Sequence, residues 1–370
     1  MKDLLIFIDK NEFDDLDMIL SRDEHILDSS TSVSRLKRDF LQYLSEIGRV
    51  HRFDSRSEGE MKEVGRALSL PSVICATFHE APPNMSCRLL QHTKGGLMLP
   101  GGFLGGWTFR EASISLVETE RQMAQLNSAL GSSVPRLGVF AQRLAEGVFA
   151  PRISSERMKL RAENNIDQNV THLLYSGRFI ANKGIVQLVR ALNIWPISRA
   201  ILTLIGSFED SFPISQSDGT HLVFRDFFRR EVIDRSHRLK LNILPSMSQS
   251  SLSDWYACSD VFVYPSFHED EASGNAPHEA VISGLPSIVT DWCGLGQLGR
   301  STRGGCVRTY ATLAGVRYSL AELRDSVSRV TLQEKSLDTL IADADAAWVR
   351  KTFNPVRMRE SLRDAISSLL

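Results

Sequence analysis

Short apolar runs alternate along the chain with segments in which apolar residues recur at helical spacing. In the first half the pattern predicts strands and helices in alternation: strands Leu4–Ile8, Ser72–Phe78, Ala112–Val117 and Arg136–Phe140, and helices Val33–Glu46 and Glu120–Leu130. In the second half the predicted strands are His172–Ser176, Ala200–Ile205, Leu222–Phe224, Leu239–Leu244, Val261–Tyr264 and Ser287–Thr290. The predicted helices there are Gly184–Leu192, Phe227–Ser236, one capped by Ser248 and ending near Ala257, Pro277–Ser283, Leu320–Val327, Leu337–Arg350 and Pro355–Leu370. This alternation is typical of parallel sheets, so we predict an α/β fold with two similar halves and a cleft between them.

The change of pattern near Pro151 and Arg152 marks the predicted domain boundary. Apolar periodicity gives way there to a charged stretch that ends at Asn169, and the alternation then starts again. We therefore predict a first domain at residues 1–152, a second at 153–352, and a C-terminal helical segment at 353–370.

Composition narrows the class of protein. The 370 residues carry a formal net charge of −1, which gives no electrostatic basis for binding nucleic acid. The five cysteines are scattered without CxxC spacing, so neither a zinc site nor a disulfide framework is indicated, and Cys75 and Cys258 fall in apolar runs typical of a core. The apolar stretch Leu4–Ile8 is too short for a signal peptide or a membrane span. We expect a soluble, cytoplasmic protein.

The loop after Val261–Tyr264 carries the first candidate chemistry. Glu271 and Glu279 are separated by seven residues, with Gly274 between them and a predicted helix N-terminus beside it. In open α/β sheets ligands bind at the carboxyl ends of strands, where this loop belongs. An acidic residue near a helix N-terminus is also stabilised by the helix dipole, and this is sufficient to explain the presence of one glutamate. The pair, with glycine between and strands on both sides, favours a ligand site.

A second candidate lies where the alternation restarts. Arg178 and Lys183 follow the strand that ends at Gly177 and precede a helix. Arginine forks onto oxygen pairs and lysine supplies a point charge, so the two predict a phosphate site. A solvated basic loop is the alternative. It is weakened because Arg178 and Glu271 both follow strands of one predicted sheet, where a single ligand can touch both.

The two segments SGRFIANKGI and DEASGNAPHE together resemble the retaining glycosyltransferase family 4, also called glycosyl transferases group 1, of the GT-B fold. The resemblance covers the chain from about Phe149 to Thr290. It implies two Rossmann-like domains facing across a cleft, an acceptor-side domain at 1–152, a nucleotide-sugar donor domain at 153–352, and a last helix that crosses back to the first. Arg178 and Lys183 would bind the donor diphosphate, Glu271 the sugar hydroxyls and Glu279 the ribose. The other residues that the resemblance places along the donor are Gly206, Met247, Ser273, Gly274 and Asn275.

The first half resembles the family more weakly. ICATFHEAP is similar to the family strand that ends in an active-site histidine, which would make His79 catalytic together with Glu271, Arg178 and Lys183. Two departures stand out: Lys10–Phe13 occupies the place of a Gly-Gly loop that contacts donor phosphates, and DEASG replaces the family's FEGFG. The implied activity is transfer of a sugar from a nucleoside-diphosphate sugar to a glycan, lipid-linked or other acceptor hydroxyl, without metal or a separate cofactor. The alternative is a catalytically weak relative that acts as a scaffold in glycan assembly.

Four further patterns need an interpretation. Asp15 and Asp17 match a DxD metal motif but lie in an acidic, helix-like run rather than after a strand. Gly294–Gly299 matches GxGxxG, which should open a helix with an acidic residue about twenty positions on, but the segment runs into the residues RSTRGG at 300–305, so we predict a flexible loop. We interpret His268 as a solvated loop histidine and His278 as a helix-face histidine, not as metal ligands. The glycine-rich segment Gly95–Trp107 is predicted to contact a lipid-linked acceptor or a membrane surface, or else to be a mobile acceptor loop.

Overall fold

The computed structural model describes most of the second half of the chain and the strands of the first. The described residues are 4–9, 49–53, 72–77, 88–92, 97–99, 102–104, 114–117, 119–130, 136–139, 147–194, 199–209, 214–215, 221–234, 239–268, 271, 273–312, 315–333 and 339–367. The chain divides into two compact units, one of residues 1–143 with 353–370 and one of residues 144–352.

The first unit contains a six-stranded parallel sheet of order β2-β1-β3-β4-β7-β8. Its strands are β1 (Leu4–Asp9), β2 (Arg49–Phe53), β3 (Ser72–Thr77), β4 (Arg88–His92), β7 (Ile114–Val117) and β8 (Arg136–Val139). An antiparallel pair, β5 (Leu97–Leu99) and β6 (Gly102–Leu104), lies between β4 and β7 in the chain. Helix α1 (Glu120–Leu130) follows β7, and helix α10 (Pro355–Ser367) packs against β8 while Arg357 pairs with Glu120.

The second unit contains another six-stranded sheet, of order β13-β10-β9-β14-β15-β16, and every strand pair in it is parallel. Its strands are β9 (Thr171–Ser176), β10 (Ala200–Ile205), β13 (Lys240–Leu244), β14 (Val261–Tyr264), β15 (Ser287–Thr290) and β16 (Gly304–Val307). Two short antiparallel pairs accompany it: β11 (Ile214–Ser215) with β12 (His221–Leu222), and β17 (Thr309–Thr312) with β18 (Gly315–Tyr318). The helices are α2 (Ser154–Glu163), α3 (Ile185–Ile194), α4 (Phe224–Phe228), α5 (Gln249–Cys258), α6 (Asn275–Ile282), α7 (Leu295–Ser301), α8 (Leu320–Gln333) and α9 (Thr339–Thr352).

The core of the second unit is the central part of this sheet. All residues of β10, β14 and β15 are buried, which explains why these strands read as continuous apolar runs instead of alternating ones. Helix α3 covers the sheet with an apolar face from Ile185 to Leu192. Ser248 caps α5 as predicted, since its Oγ accepts a hydrogen bond from the Ser251 N–H at 3.2 Å. Cys258 is fully buried, as its apolar surroundings indicated.

The strand order fixes where a ligand can bind. From β9 the chain proceeds outward to β10 and β13 on one side, and then returns to β14, β15 and β16 on the other. The order therefore reverses between β9 and β14, and in open α/β sheets ligands bind at such a point, outside the carboxyl ends of the strands. Gly177 to Lys183 follow β9, and the segment that begins at Pro265 follows β14.

Several predicted elements were wrong. Leu222–Phe224 is not one strand, because β12 ends at Leu222 and helix α4 begins at Phe224. The helix predicted at Phe227–Ser236 is the end of α4 followed by a π-turn at Arg229–Ile233, and its last residues lie outside the described ones.

Two predicted loops also contain regular structure. Gly294 caps α7, so the GxGxxG segment is helical and not a flexible loop. A Cβ on Gly299 would lie 2.5 Å from the Cys306 sulfur, so this glycine lets α7 pack closely against β16. The Gly95–Trp107 segment contains the β5–β6 pair. Among the described residues, no helix is both long and apolar enough to cross a membrane.

Candidate functional site

The turn that carries Lys183 is pressed against the loop after β14. It is a 3₁₀ turn, Ala181–Lys183, closed by Gly184 at φ +74°. A Cβ at Gly184 would lie 2.2 Å from the Pro265 carbonyl oxygen, so only glycine permits this approach. The Phe267 N–H donates a hydrogen bond to the Asn182 carbonyl at 2.8 Å. The two loops at the reversal of strand order are thus joined through their backbones.

Lys183 and Glu271 form a buried ion pair where these loops meet. The ammonium of Lys183 donates to Glu271 Oε2, and both residues are buried, at 7% and 4% exposure. The same oxygen accepts from the Ser266 hydroxyl at 2.5 Å and from the Tyr264 hydroxyl at 3.3 Å. The Lys183 Nζ also lies 5.3 Å from the centroid of the Tyr264 ring. Three donors therefore converge on one carboxylate oxygen.

The charge state of Glu271 follows from these donors. Burial by itself would raise the pKa of the Glu271 carboxyl, because it disfavours the charged form. The Lys183 charge and the hydrogen bonds from Lys183 and Ser266 outweigh burial, so the pKa of Glu271 lies below its usual value. Glu271 is an ionised carboxylate at neutral pH.

Glu279 lies on the adjacent helix, α6. It is 7% exposed and falls in the second turn of α6, not in the first as predicted, because α6 begins at Asn275. The Tyr256 hydroxyl lies 3.4 Å from Glu279 Oε2 and 2.8 Å from the Ser176 Oγ at the end of β9. Glu279 is thereby connected to the same edge of the sheet as the Lys183 turn.

The start of α6 is formed by Gly274. Its φ of +71° excludes most side chains, and a Cβ there would lie 3.3 Å from Glu271 Oε1. The His278 Nδ1 is hydrogen-bonded to the Gly274 carbonyl, and burial lowers the pKa of His278 to about 4 although this hydrogen bond acts in the opposite direction. His278 is a buried neutral histidine on the helix, consistent with a structural role. Ser273 is buried and Asn275 is exposed.

Arg178 lies at the opening of the site. Its side chain is 54% exposed, and its Nη1 donates to Glu209 Oε2 at 2.6 Å. A Cβ on Gly206 would lie 1.9 Å from the Gly177 carbonyl oxygen, so the backbones that follow β9 and β10 touch beside Arg178. Gly206 and Arg178 are therefore neighbours.

Two predicted site residues remain, Met247 and His79. Met247 is half-buried in the loop after β13, the strand beyond β10. His79, Asp15 and Asp17 lie outside the described residues. Within the described part of the chain, no three His, Cys, Asp or Glu side chains are grouped as a metal site.

The sequence interpretation missed four polar residues. Tyr264, Ser266, Tyr256 and Glu209 all contact a predicted site residue. Tyr264 and Ser266 end the apolar run of β14, and polar residues at the carboxyl end of a strand are a signal that could have indicated them. Glu209 lies in the loop that follows the carboxyl end of β10 and carries the same signal, whereas Tyr256 lies inside helix α5 and does not.

A protein-family model matches the part of the chain that carries these site residues. Residues 156–307 match the family model of glycosyl transferases group 1. This range contains the Arg178, Lys183, Glu271 and Glu279 positions, and it confirms the resemblance to glycosyl transferases group 1. A D-inositol 3-phosphate glycosyltransferase of Pseudarthrobacter chlorophenolicus is 26% identical over 184 residues, 49% of this chain. The match spans only 40% of that relative's length.

Solved structures resemble the whole fold. The sucrose-phosphate synthase from Thermosynechococcus elongatus aligns with a TM-score of 0.67 at 15% identity, covering 100% of this chain and 99% of that one. HepE of Anabaena in complex with UDP aligns with a TM-score of 0.62 at 16% identity, covering 100% of both chains. At these identities the likeness establishes the fold alone. The predicted fold class is confirmed: the chain has the α/β fold of GT-B glycosyltransferases.

Proposed function

Because residues 156–307 are a glycosyl transferases group 1 domain on a GT-B fold, we propose that the protein is a retaining glycosyltransferase. It moves a sugar from a nucleoside-diphosphate sugar to the hydroxyl of a glycan, lipid-linked or other acceptor. The observation that carries the proposal is the buried Lys183–Glu271 pair at the reversal of strand order. A buried ion pair costs desolvation, so its place at the reversal of strand order, where α/β sheets bind ligands, favours a role in binding over one in stability.

Each charged residue has a distinct part in this reaction. As the bond to the sugar breaks, negative charge develops on the leaving diphosphate, and preorganised cations stabilise it. Arg178 and Lys183 supply these cations. Glu271, held ionised by Lys183 and Ser266, accepts hydrogen bonds from donor-sugar hydroxyls, and Glu279 accepts them from the ribose. His79 is proposed to lie near the donor sugar and the acceptor.

The donor residues around these charges position the nucleotide. The backbone at Ser273, Gly274 and Asn275 follows the sugar and phosphates, and Gly206 and Met247 border the nucleotide. The relative HepE was crystallised in complex with UDP, which supports a nucleoside diphosphate as ligand. No metal or separate cofactor takes part in this scheme.

The first experiment is a thermal-shift panel with UDP, GDP, ADP, CDP and dTDP. A ligand at about a hundred times its dissociation constant adds roughly 2.7 kcal/mol of apparent stability. We expect one nucleotide to stabilise the wild type and not the Arg178→Ala/Lys183→Ala variant. Lys159→Ala is the matched control, because Lys159 is an exposed lysine of α2 that pairs with Glu163 away from the site. If no nucleotide stabilises the wild type, the scaffold alternative is preferred.

Turnover is tested with the donor that the panel identifies. Charge-assisted hydrogen bonds contribute roughly 1.5–3 kcal/mol, and about 1.4 kcal/mol is tenfold in rate. Arg178→Ala is therefore expected to lower turnover at least about tenfold, and its exposed side chain makes it the variant that keeps the fold. Wild-type turnover in this variant would remove Arg178 from the donor site.

The acceptor and the location are proposed from the glycine-rich segment. A lipid-linked acceptor would place the protein at the inner face of a membrane, with Gly95–Trp107 in peripheral contact. Flotation with liposomes is compared between the wild type and a Leu97/Leu99/Phe103-to-Ser variant. Equal binding by the two proteins would count against membrane contact through this segment.

A further inference from the structure

Glu209 contacts the predicted phosphate-binding arginine but has no part in the proposed donor site. Its carboxylate accepts the Arg178 Nη1–H at 2.6 Å, across 31 residues of sequence. Its side chain is 31% exposed, whereas that of Arg178 is 54% exposed. The contact therefore lies at the outer edge of the site, where solvent and ligands reach it.

The position of Glu209 is set by the backbone. Beyond the ends of β9 and β10, Phe179 and Phe208 continue the parallel pairing as a single bridge. The Phe179 N–H donates to the Ser207 carbonyl at 2.7 Å, and the Glu209 N–H reaches the Phe179 carbonyl at 3.4 Å. Phe208 is anchored edge-on against Phe179 and Phe228, with centroids 5.1 Å and 5.4 Å apart. Glu209 thus directly follows Phe208, which is held by its aromatic contacts, and Arg178 directly precedes Phe179, which pairs with Phe208.

Each of the two cations of the site is paired with a carboxylate. Lys183 is matched by Glu271, and Arg178 is matched by Glu209. A diphosphate that brings its own negative charges must therefore compete with a carboxylate for each cation. Glu271 is buried and also accepts hydrogen bonds from two hydroxyls. Its displacement from Lys183 would therefore leave a buried carboxylate with neither a compensating cation nor hydration. Glu209 is partly exposed, and its carboxylate can be hydrated when it leaves Arg178.

We infer that Glu209 is a counter-ion of Arg178 that the donor diphosphate displaces. This inference rests on the proposed donor site and adds a residue that determines its affinity. The phosphate takes the place of the carboxylate because an arginine fork binds phosphate through two parallel hydrogen bonds, whereas Glu209 makes one. Displacement has a cost, so Glu209 lowers the affinity for the diphosphate and speeds its release.

The opposite role makes the opposite prediction. If Glu209 instead oriented Arg178 for the ligand, its loss would free the guanidinium and weaken binding. The substitution Glu209→Gln separates the two roles, because it removes the charge and keeps the shape of the side chain. Glu163→Gln is the matched control: Glu163 forms an exposed pair with Lys159 in α2, so this variant changes the net charge equally at another ion pair.

The experiment is isothermal titration calorimetry with UDP and with inorganic pyrophosphate, which tests the diphosphate without a base. The proteins are the wild type, Glu209→Gln, Arg178→Ala, the double variant and Glu163→Gln. We expect Glu209→Gln to bind both ligands about two- to fivefold more tightly, the range that the loss of an exposed ion pair allows. Glu163→Gln is expected to bind as the wild type does. In the Arg178→Ala background the gain from Glu209→Gln should disappear.

Each other outcome has a definite meaning. Unchanged or weaker binding by Glu209→Gln, with binding reduced in Arg178→Ala, overturns the counter-ion inference and leaves the donor site in place. A gain that persists in the Arg178→Ala background also overturns it, because Glu209 would then act through charge alone. Absence of binding of either ligand to the wild type overturns both the inference and the proposed function.

Discussion

The buried pair of Lys183 and Glu271 gives a test that is independent of any substrate. Replacing Lys183 by methionine keeps a long apolar stem and removes the ammonium. Glu271 would then remain buried with the Ser266 and Tyr264 hydroxyls as its side-chain donors among the described residues. Removing one partner of a buried ion pair typically costs about 3–5 kcal/mol, because the other charge stays uncompensated. We expect this loss in the free energy of unfolding at pH 7.5.

The pH dependence distinguishes this cause from simple loss of packing. In the wild type the pKa of Glu271 lies below its usual value near 4.5, so its contribution to stability is present above that value and is lost as the pH falls toward the folded-state pKa. In Lys183→Met burial is no longer offset by the ammonium, and the folded-state pKa of Glu271 rises above the usual value. Protonation then favours the folded variant, so the difference in stability from the wild type narrows as the pH falls.

The measurement is urea unfolding followed by tryptophan fluorescence at several pH values between 7.5 and 5. The double variant Lys183→Met/Glu271→Gln is the control, since it removes the stranded charge and is expected to recover most of the loss at pH 7.5. A loss that is the same at every pH, or that the second substitution does not reduce, would refute the argument from an uncompensated buried carboxylate. A loss below about 1 kcal/mol at pH 7.5 would show that the pair is far less isolated from water than its burial indicates.

Three further outcomes follow from the geometry near the site and in the core. Gly184→Ala is expected to lower the free energy of unfolding in urea by at least about 2 kcal/mol and to lower turnover, because the new Cβ would lie 2.2 Å from the Pro265 carbonyl oxygen. Gly147→Ala is the control: its φ is also positive, at +85°, but no atom lies within 4 Å of the new Cβ, so the loss should be only about 1 kcal/mol. Tyr318→Phe should raise the free energy of unfolding by about 1 kcal/mol, since the buried Tyr318 hydroxyl has no partner among the described residues; a loss would point to a hydrogen bond. His172, bonded to Thr203 and Ser259, has its pKa lowered by burial to about 4, so its ring resonances should show no protonation at pH 5.5 in NMR titration. Protonation near pH 6.5 would contradict that burial. Because the folded-state pKa is lowered, this histidine is expected to reduce stability as the pH falls from 6.5 toward 4.

The sequence was most informative where the physical signal is local. The helix at Glu120–Leu130 and the strand at Ala200–Ile205 have the predicted bounds, because helical apolar spacing indicates the first and a continuous apolar run indicates the second. Ser248 was predicted as a cap from the preference of a serine hydroxyl for a free N–H, which is a contact within one turn. The placement of Lys183 and Glu271 at the same sheet edge followed from a general rule about parallel strands.

Prediction was weaker where structure depends on a tertiary contact. The glycines of Gly294–Gly299 suggested a loop, since glycine is unfavourable inside a helix. Gly299 is instead required by the close packing of α7 on β16, where a Cβ would meet the Cys306 sulfur. Similarly, Phe224 belonged to an apolar run that resembled a strand, but it begins a helix and packs with Phe208 and Phe228 in an aromatic cluster. Packing overrode the local preference in both cases.

The register between β9 and β10 explains why the position of Arg178 could be predicted from the sequence and its ion pair with Glu209 could not. Ser176 pairs with Ile205, and the same parallel offset brings Phe179 beside Phe208. Once that offset is known, Arg178 and Glu209 are within reach of each other. An alternative register displaced by two residues would preserve every buried face and yet separate the two charges. The apolar pattern therefore determines that Arg178 lies at the edge of the sheet, but not which carboxylate neutralises it. In our proposal the affinity of the donor site for a diphosphate depends on Glu209, a residue that lies in neither of the two sequence motifs.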